Sequence, residues 1–123
     1  IECLSRGANK VTFIEQDLIA MNILKENLIK FALIKKSKVY LNKIEDILAK
    51  DFNEKFNIFF LDPPFSDSNF LKKFENIKNL KIFDKKHIVI IHREKKSKDN
   101  FKHLLKIIGV KLYGRSKIIF GIF

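Results

Sequence analysis

The sequence predicts an α/β fold with a mostly parallel sheet, and three observations support this prediction. Segments with strand and helix patterns alternate along the chain, which is typical of parallel sheets. The mostly apolar run at residues 56–61 is stopped by Pro63 and Pro64, neither of which can donate to a strand ladder. The last two apolar runs meet at Gly114, which predicts a terminal antiparallel hairpin. We expect a single domain over residues 1–123.

The N-terminal elements follow from capping residues and periodicity. A helix closed by Gly7 is expected to precede a strand over residues 11–14, which delivers Glu15 at its C-terminal end. Asp17 can cap a helix over residues 18–31. Apolar residues recur on this helix at helical spacing and are predicted to face the core; they are Ala20, Ile23, Leu24, Leu28 and Phe31.

The remaining elements continue the alternation. A strand over 38–41 and a helix over 44–50 precede the run at 56–61, which is predicted to be a strand buried on both faces. A helix over 69–79 and a buried strand over 87–92 follow. The C-terminal segments are predicted as a helix within 98–108 and strands over 110–113 and 117–123.

The segment Asp62-Pro63-Pro64-Phe65 lies at the predicted C-terminal end of a strand, where open α/β sheets bind ligands. The Asp62 carboxylate and a carbonyl fixed by the proline rings are two acceptors in a rigid geometry, and Phe65 offers a flat face. This combination suits a planar base with an exocyclic amino group, because hydrogen bonds to a charged acceptor return electron density to the nitrogen. The same residues are equally compatible with a simple strand-ending turn.

The chain is strongly basic, with 25 Lys and Arg against 14 Asp and Glu and a net charge of +11. This balance favours a polyanionic partner such as RNA. Most of the basic residues are lysines, although arginine is the better bidentate ligand of phosphate. The single cysteine, Cys3, fits a reducing cytoplasm, and no apolar stretch reaches the roughly 20 residues of a membrane span.

The three histidines lack the spacing of a metal site with acidic or thiolate partners. His87 and His92 flank one predicted strand, and His103 lies in a basic segment. We interpret all three as solvent-facing or capping residues, and we expect no metal.

The N-terminal run IECLSRGA, at residues 1–8, is followed by a strand with Glu15 at its end, by Asp62-Pro-Pro-Phe65 and by Tyr113-Gly114. Together these motifs resemble the bacterial 16S ribosomal RNA guanine-N2 methyltransferases, the RsmD-like family of class I S-adenosylmethionine-dependent methyltransferases. The resemblance covers nearly the whole chain. It implies a Rossmann-like class I methyltransferase fold, with a mostly parallel sheet and a C-terminal antiparallel hairpin.

One departure from the family pattern concerns the N-terminus. The family has a first strand and a glycine loop before the helix with which this chain begins, and the loop brings backbone N–H groups to the cofactor. The chain lacks both segments, and its glycines lie elsewhere: Gly7, Gly109, Gly114 and Gly121. We therefore expect an N-terminally incomplete domain that, by itself, is marginally stable or aggregation-prone and binds the cofactor weakly or not at all.

The resemblance also implies roles for cofactor residues. Glu15 is expected to accept the ribose hydroxyls of S-adenosylmethionine, with Gln16 beside it. Ile44 is expected to supply a backbone N–H and apolar contact to the adenine ring. Lys43, at the neighbouring position, cannot accept a hydrogen bond from the adenine amino group.

For catalysis, the resemblance implies that Asp62, Pro63 and Phe65 hold the target base. The residues expected to contact substrate are Pro64, Arg93 and Lys95, the last two in a basic stretch after the strand over 87–92.

The implied function is methylation of the N2 amino group of a guanine in 16S ribosomal RNA, with S-adenosylmethionine as cofactor. The expected partner is ribosomal RNA, free or within the 30S particle, and we expect a cytoplasmic monomer that does not bind membranes. Two alternatives remain open. One is an adenine-N6 DNA methyltransferase, since Asp-Pro-Pro-Phe also occurs in enzymes that act on adenine. The other is a catalytically incompetent basic fragment that binds RNA.

Overall fold

The computed structural model describes residues 1–48 and 54–123, which fall into two compact units, Ile1–Lys50 and Asp51–Phe123. The N-terminal unit contains a short helix, a strand, a longer helix, a 3₁₀ turn, a second strand and a short helix. Their bounds are α1 Glu2–Ser5, β1 Val11–Glu15, α2 Leu18–Lys30, the turn Ile34–Lys36, β2 Ser37–Leu41 and α3 Ile44–Leu48. The two strands and the helices α2 and α3 lie within two residues of their predicted positions, and the part of the last predicted helix at residues 49–50 lies outside the described residues. The 3₁₀ turn was not predicted.

The two strands of the N-terminal unit are parallel, with a register that runs from Val11 opposite Ser37 to Glu15 opposite Leu41. The carboxyl ends of β1 and β2 therefore lie side by side. The Asn42 N–H donates to the Glu15 carbonyl at 3.0 Å, which continues the pairing one residue beyond the strands.

Helix α2 begins at its predicted cap, where Asp17 Oδ1 accepts from the Ala20 N–H at 2.7 Å. Its predicted core stripe is only partly correct. Leu28 is fully buried, but Ile23 is 54% exposed and Phe31, already beyond the helix, is 56% exposed; Ala20 is exposed as well. The buried face is instead set by Met21, from which Leu28 lies seven positions along the helix.

The C-terminal unit contains a four-stranded mixed sheet and one long helix. Their bounds are β3 Phe56–Leu61, α4 Phe70–Asn79, β4 Phe83–Glu94, β5 Lys106–Tyr113 and β6 Ser116–Ile122. The sheet order is β3-β4-β6-β5, in which β3 and β4 are parallel and the other two pairs are antiparallel. The terminal hairpin is therefore confirmed, and Gly114 in its turn adopts φ +52°, which favours glycine.

The core of this unit is aromatic. Helix α4 places Phe70, Phe74 and Ile77 on one face, as expected from their spacing of four and three residues. The Phe74 ring meets the Phe101 ring edge to face at 5.8 Å between centroids. The other buried members of the cluster are Val89, Ile91, Leu105 and Ile119.

The prediction that β3 is buried on both faces is wrong for the described chain. Phe59 and Leu61 pack against the core cluster. Ile58 and Phe60 point to the opposite face and are 51% and 63% exposed. An apolar run alone does not distinguish a strand buried on both faces from one buried on a single face. Alternate residues of a strand face opposite sides, and an apolar run does not show whether both sides are covered.

The predicted helix within 98–108 is also wrong. A single turn forms there, in which the Leu104 and Leu105 N–H groups donate to the Phe101 carbonyl at 2.8 and 3.0 Å. Strand β5 then begins at Lys106, because Ile107, Ile108 and Val110 are β-branched and favour extended backbone. No helix in the described parts of the chain is both long and apolar enough to cross a membrane.

Candidate active site

The segment Asp62-Pro63-Pro64-Phe65 leaves the sheet at the carboxyl end of β3. Leu61 is paired with Ile91 of the parallel strand β4, so the next residues, Asp62 and His92, emerge at the same edge of the sheet. Asp62 Oδ1 lies 2.8 Å from His92 Nδ1. The Asp62 side chain is 57% exposed, so this contact leaves the carboxylate open to solvent and to a ligand.

His92 connects three other side chains. Its second ring nitrogen, Nε2, lies 2.8 Å from Ser116 Oγ at the start of β6. The Phe65 ring meets the imidazole edge to face, with 5.3 Å between centroids. The carboxylate, the imidazole and the aromatic ring of this edge therefore form one contiguous cluster, and the prediction that His92 is merely solvent-facing or capping is wrong.

The next residue, Arg93, points to the other side of β4 and is only 4% exposed. Its Nε and Nη2 donate to the two carboxylate oxygens of Asp99 at 2.9 and 3.2 Å. Its Nη1 donates to the Pro64 carbonyl at 3.3 Å, and its guanidinium lies 4.8 Å from the Phe70 ring centroid.

These contacts correct the predicted substrate role of Arg93, whereas that of Pro64, which is exposed, stays a prediction. The Arg93 guanidinium is buried and paired with Asp99, so it is not placed to bind a phosphate. The Pro64 carbonyl accepts from Arg93 and from the Asp67 N–H, the latter at 2.9 Å, so it is engaged inside the protein. Arg93 instead fixes the backbone of the segment that carries Asp62 and Phe65.

The Arg93–Asp99 pair also changes a pKa. Burial raises the pKa of the Asp99 carboxyl, but Arg93, with smaller contributions from Ser97 and Lys117, outweighs burial and holds this pKa below its ordinary value of 3.8. Asp99 therefore stays ionised at a lower pH than a free aspartate.

Lys95 remains a predicted phosphate contact. Its side chain is exposed, and its backbone N–H donates to the Arg115 carbonyl at 2.7 Å, which ties it to the β5–β6 turn. Glu94 and Arg115 form an ion pair at 3.3 Å on the same surface. The surface formed by Glu94, Lys95 and Arg115 therefore carries both positive and negative side chains.

The other two histidines fit their predicted roles. His87 bonds to the backbone, with Nδ1 at 2.7 Å from the Asp84 carbonyl and Nε2 accepting from the Phe123 N–H at 2.9 Å. His103 is exposed. Across residues 1–48 and 54–123, no group of His, Cys, Asp or Glu is arranged to hold a metal ion.

The predicted cofactor residues lie together in the N-terminal unit. Glu15 Oε1 accepts from the N–H groups of Gln16 and Asp17 at 2.8 and 2.9 Å. Ile44 begins α3 and lies three residues after Leu41, the last residue of β2 and the one paired with Glu15. Glu15 and Ile44 are thus at one edge of the two-stranded sheet, as predicted.

Sequence reasoning missed two residues of the site, His92 and Ser116. The signal for His92 was available, because it ends a predicted buried strand just as Asp62 follows another, and the carboxyl ends of neighbouring parallel strands meet at one edge. No comparable signal existed for Ser116, whose position depends on the antiparallel pairing of β6 with β4.

Solved structures with the same fold include three bacterial proteins. A candidate methylase from Haemophilus influenzae is 25% identical, with a TM-score of 0.83 over 98% of this chain and 76% of its own. A conserved hypothetical protein from Streptococcus pyogenes is 21% identical, with a TM-score of 0.85 over 96% of this chain and 74% of its own. A candidate methyltransferase from Escherichia coli is 21% identical, with a TM-score of 0.82 over 98% of this chain and 66% of its own.

A search of curated proteins found no significant match. The family model described as conserved hypothetical protein 95 matches residues 1–122, which is almost the entire chain. The chain therefore belongs to the conserved hypothetical protein 95 family.

Proposed function

We propose that this protein methylates the exocyclic N2 amino group of a guanine in small-subunit ribosomal RNA, with S-adenosylmethionine as cofactor. The observation that carries the proposal is the exposed Asp62 carboxylate at the end of β3, held by His92 beside the Phe65 ring. A negative acceptor next to an aromatic face matches a planar base with an amino substituent.

The residues present fit the cofactor. Glu15 uses one carboxylate oxygen for the N–H groups of Gln16 and Asp17, so its other oxygen can accept from a ribose hydroxyl. The backbone N–H of Ile44, in the first turn of α3, can meet an adenine nitrogen. When bound, S-adenosylmethionine supplies an electrophilic methyl sulfonium.

In the mechanism that we propose, the target guanine is turned out of its RNA setting and stacks near Phe65, which is 40% exposed. Asp62 and the Pro63 carbonyl accept the two N2 hydrogens and increase the electron density on that nitrogen. Asp62 and the Pro63 carbonyl would hold the N2 nitrogen toward the methyl group that the cofactor would supply, with S-adenosylhomocysteine as the leaving group, and Asp62 or water would take the proton that the nitrogen loses. Positioning of the base supplies most of the rate enhancement.

The RNA partner is supported by charge. The net charge of +11 favours a polyanion, and the exposed Lys95 lies close in sequence to His92 and on the same sheet edge. We propose that the protein acts in the cytoplasm as a monomer, on ribosomal RNA either free or within the 30S particle.

The test is a methyl-transfer assay with labelled cofactor on three substrates: deproteinised 16S ribosomal RNA, assembled small subunits and duplex DNA. We expect label in N2-methylguanosine from RNA, formed about 100-fold to 1,000-fold more slowly by the Asp62→Ala variant. Label in N6-methyladenine of DNA would replace this proposal with the adenine-N6 enzyme. Tight RNA binding without methyl transfer would favour a binding module.

A further inference from the structure

We propose that His92 is a positioning residue, whose Nδ1–H holds one oxygen of Asp62 so that the other oxygen faces the amino group of the substrate. The inference rests on the proposed function and deepens it. It assigns a role to a side chain that contacts the two proposed base-binding residues, Asp62 and Phe65, and not the reacting atoms.

The geometry favours this role. The two residues follow paired positions on parallel strands, so the backbone brings them together before any side chain is ordered. The 2.8 Å contact joins a side chain that is 57% exposed, Asp62, to one that is 26% exposed, His92. His92, the less exposed partner, therefore supports Asp62, and the more exposed Asp62 carboxylate is left to bind the substrate.

The hydrogen-bond chemistry fixes the tautomer. An ionised carboxylate only accepts, so His92 Nδ1 must carry the proton in its contact with Asp62. In the neutral ring Nε2 then accepts from the Ser116 hydroxyl, which lies 2.8 Å away. The negative charge of the Asp62 carboxylate is what attracts the hydrogens of an amino group.

The same imidazole also orients Phe65. With both nitrogens bonded, the ring cannot rotate freely, and its face or edge is fixed for the contact with Phe65 at 5.3 Å. Arg93 does not duplicate this role, because it faces the opposite side of β4 and bonds to Asp99 and Pro64.

Two conservative variants separate the two bonds of His92. In His92→Asn the side-chain nitrogen occupies about the place of Nδ1 and can still donate to Asp62. In His92→Gln the amide reaches the place of Nε2, so it keeps Ser116 and loses Asp62. We expect His92→Asn to retain most of kcat and His92→Gln to lose about 100-fold, the scale of a misplaced catalytic group, with the KM for the cofactor unchanged in both.

The controls keep this test separate from that of the proposed function. If Asp62→Ala is inactive and His92→Gln is as active as the wild type, the positioning role is wrong and the proposed function stands. If Asp62→Ala is fully active, the base-binding role of Asp62 is wrong and the positioning role is wrong with it, whereas the proposed function fails only if the wild type forms no N2-methylguanosine in RNA. Equal melting temperatures of the Asn and Gln variants would show that a difference in kcat is not a folding defect, whereas activity that tracks the melting temperature would overturn the positioning role.

One further readout does not depend on methyl transfer. The ¹⁵N chemical shifts of His92 should show a ring protonated at Nδ1, and a ring protonated at Nε2 alone would overturn the proposal.

The contacts among Asp62, His92 and Ser116 also follow the order of a hydrolase triad. Ser116→Ala should change kcat much less than His92→Gln, and covalent labelling of Ser116 by a fluorophosphonate would assign it as a nucleophile and overturn the positioning role.

Discussion

Glu15 and Asp62 are two acidic residues at equivalent places, each at the carboxyl end of a strand with a parallel neighbour, yet they are held in different ways. Glu15 accepts from the N–H groups of the next two residues, so its orientation is fixed within its own turn. Asp62 accepts from a residue 30 positions away in sequence. The first carboxylate is thus organised locally, and the second only when β3 and β4 have paired.

The comparison extends to the segments around them. The turn after Glu15 leads directly into α2 through the Asp17 cap. The turn after Asp62 is held through Pro64 by the buried Arg93–Asp99 pair. Substitutions of residues that are distant in sequence from both carboxylates, such as Arg93, should therefore disturb Asp62 and leave Glu15 unaffected.

The largest effect is expected from Arg93→Ala, which leaves the Asp99 carboxylate without its main partner in a mostly buried position. Breaking a buried ion pair from one side costs about 3–5 kcal/mol of unfolding free energy. Chemical denaturation measures this loss. Arg93→Lys is the matched control, because it keeps the positive charge but not the two paired N–H donors of the guanidinium. A loss below about 1 kcal/mol would mean that the pair behaves as a surface salt bridge, and the contrast with Glu15 would disappear.

Asp62→Ala comes next. It removes the charged acceptor used in the transition state, so kcat should fall by about 100-fold to 1,000-fold, while cofactor affinity stays unchanged. Steady-state kinetics with varied cofactor and varied RNA separates these quantities. A raised KM for the cofactor with unchanged kcat would reverse the roles assigned to the two carboxylates.

Glu15→Ala should act in the opposite way. Loss of a charged hydrogen-bond acceptor costs about 1.5–3 kcal/mol of cofactor binding, and kcat at saturating cofactor should change little. Calorimetric titration with the cofactor measures the affinity, and Glu15→Gln, which keeps one acceptor oxygen, should lose less. Equal affinity in all three proteins would remove Glu15 from the cofactor site.

The smallest effect is a dependence of stability on pH. Because the pKa of Asp99 is lower in the folded protein than its ordinary value of 3.8, the stabilisation is complete above about pH 4 and is lost as the pH falls through the lowered value. The difference in unfolding free energy between the wild type and Asp99→Asn should therefore shrink in acid. A difference that is constant from pH 6 down to pH 3 would contradict the shift.

The sequence predicted those features that depend on neighbouring residues. Strands ended by Pro63 or joined at Gly114 were placed correctly, as was the helix capped by Asp17. The predictions for Arg93 and His92 were wrong because charge and exposure were inferred from a basic stretch, whereas alternation along β4 sends His92 to the site and Arg93 into the core. Pairing between distant strands decides which neighbour an exposed or buried side chain meets, and a single sequence does not encode that pairing in any local pattern.

Leu105 packs against the backbone of Gly121 in β6, and this contact affects the region around Arg93. A Cβ at position 121 would lie 2.5 Å from Leu105 Cγ, so only glycine admits this leucine against β6. Leu105 thereby fixes one end of the connection between β4 and β5, and Asp99 fixes the other through Arg93. The connection is thus held at both ends, and its Asp99 end keeps Arg93 in place beside the Pro64 carbonyl. The shape of the Asp62 turn therefore depends on a segment that contains neither Asp62 nor Phe65.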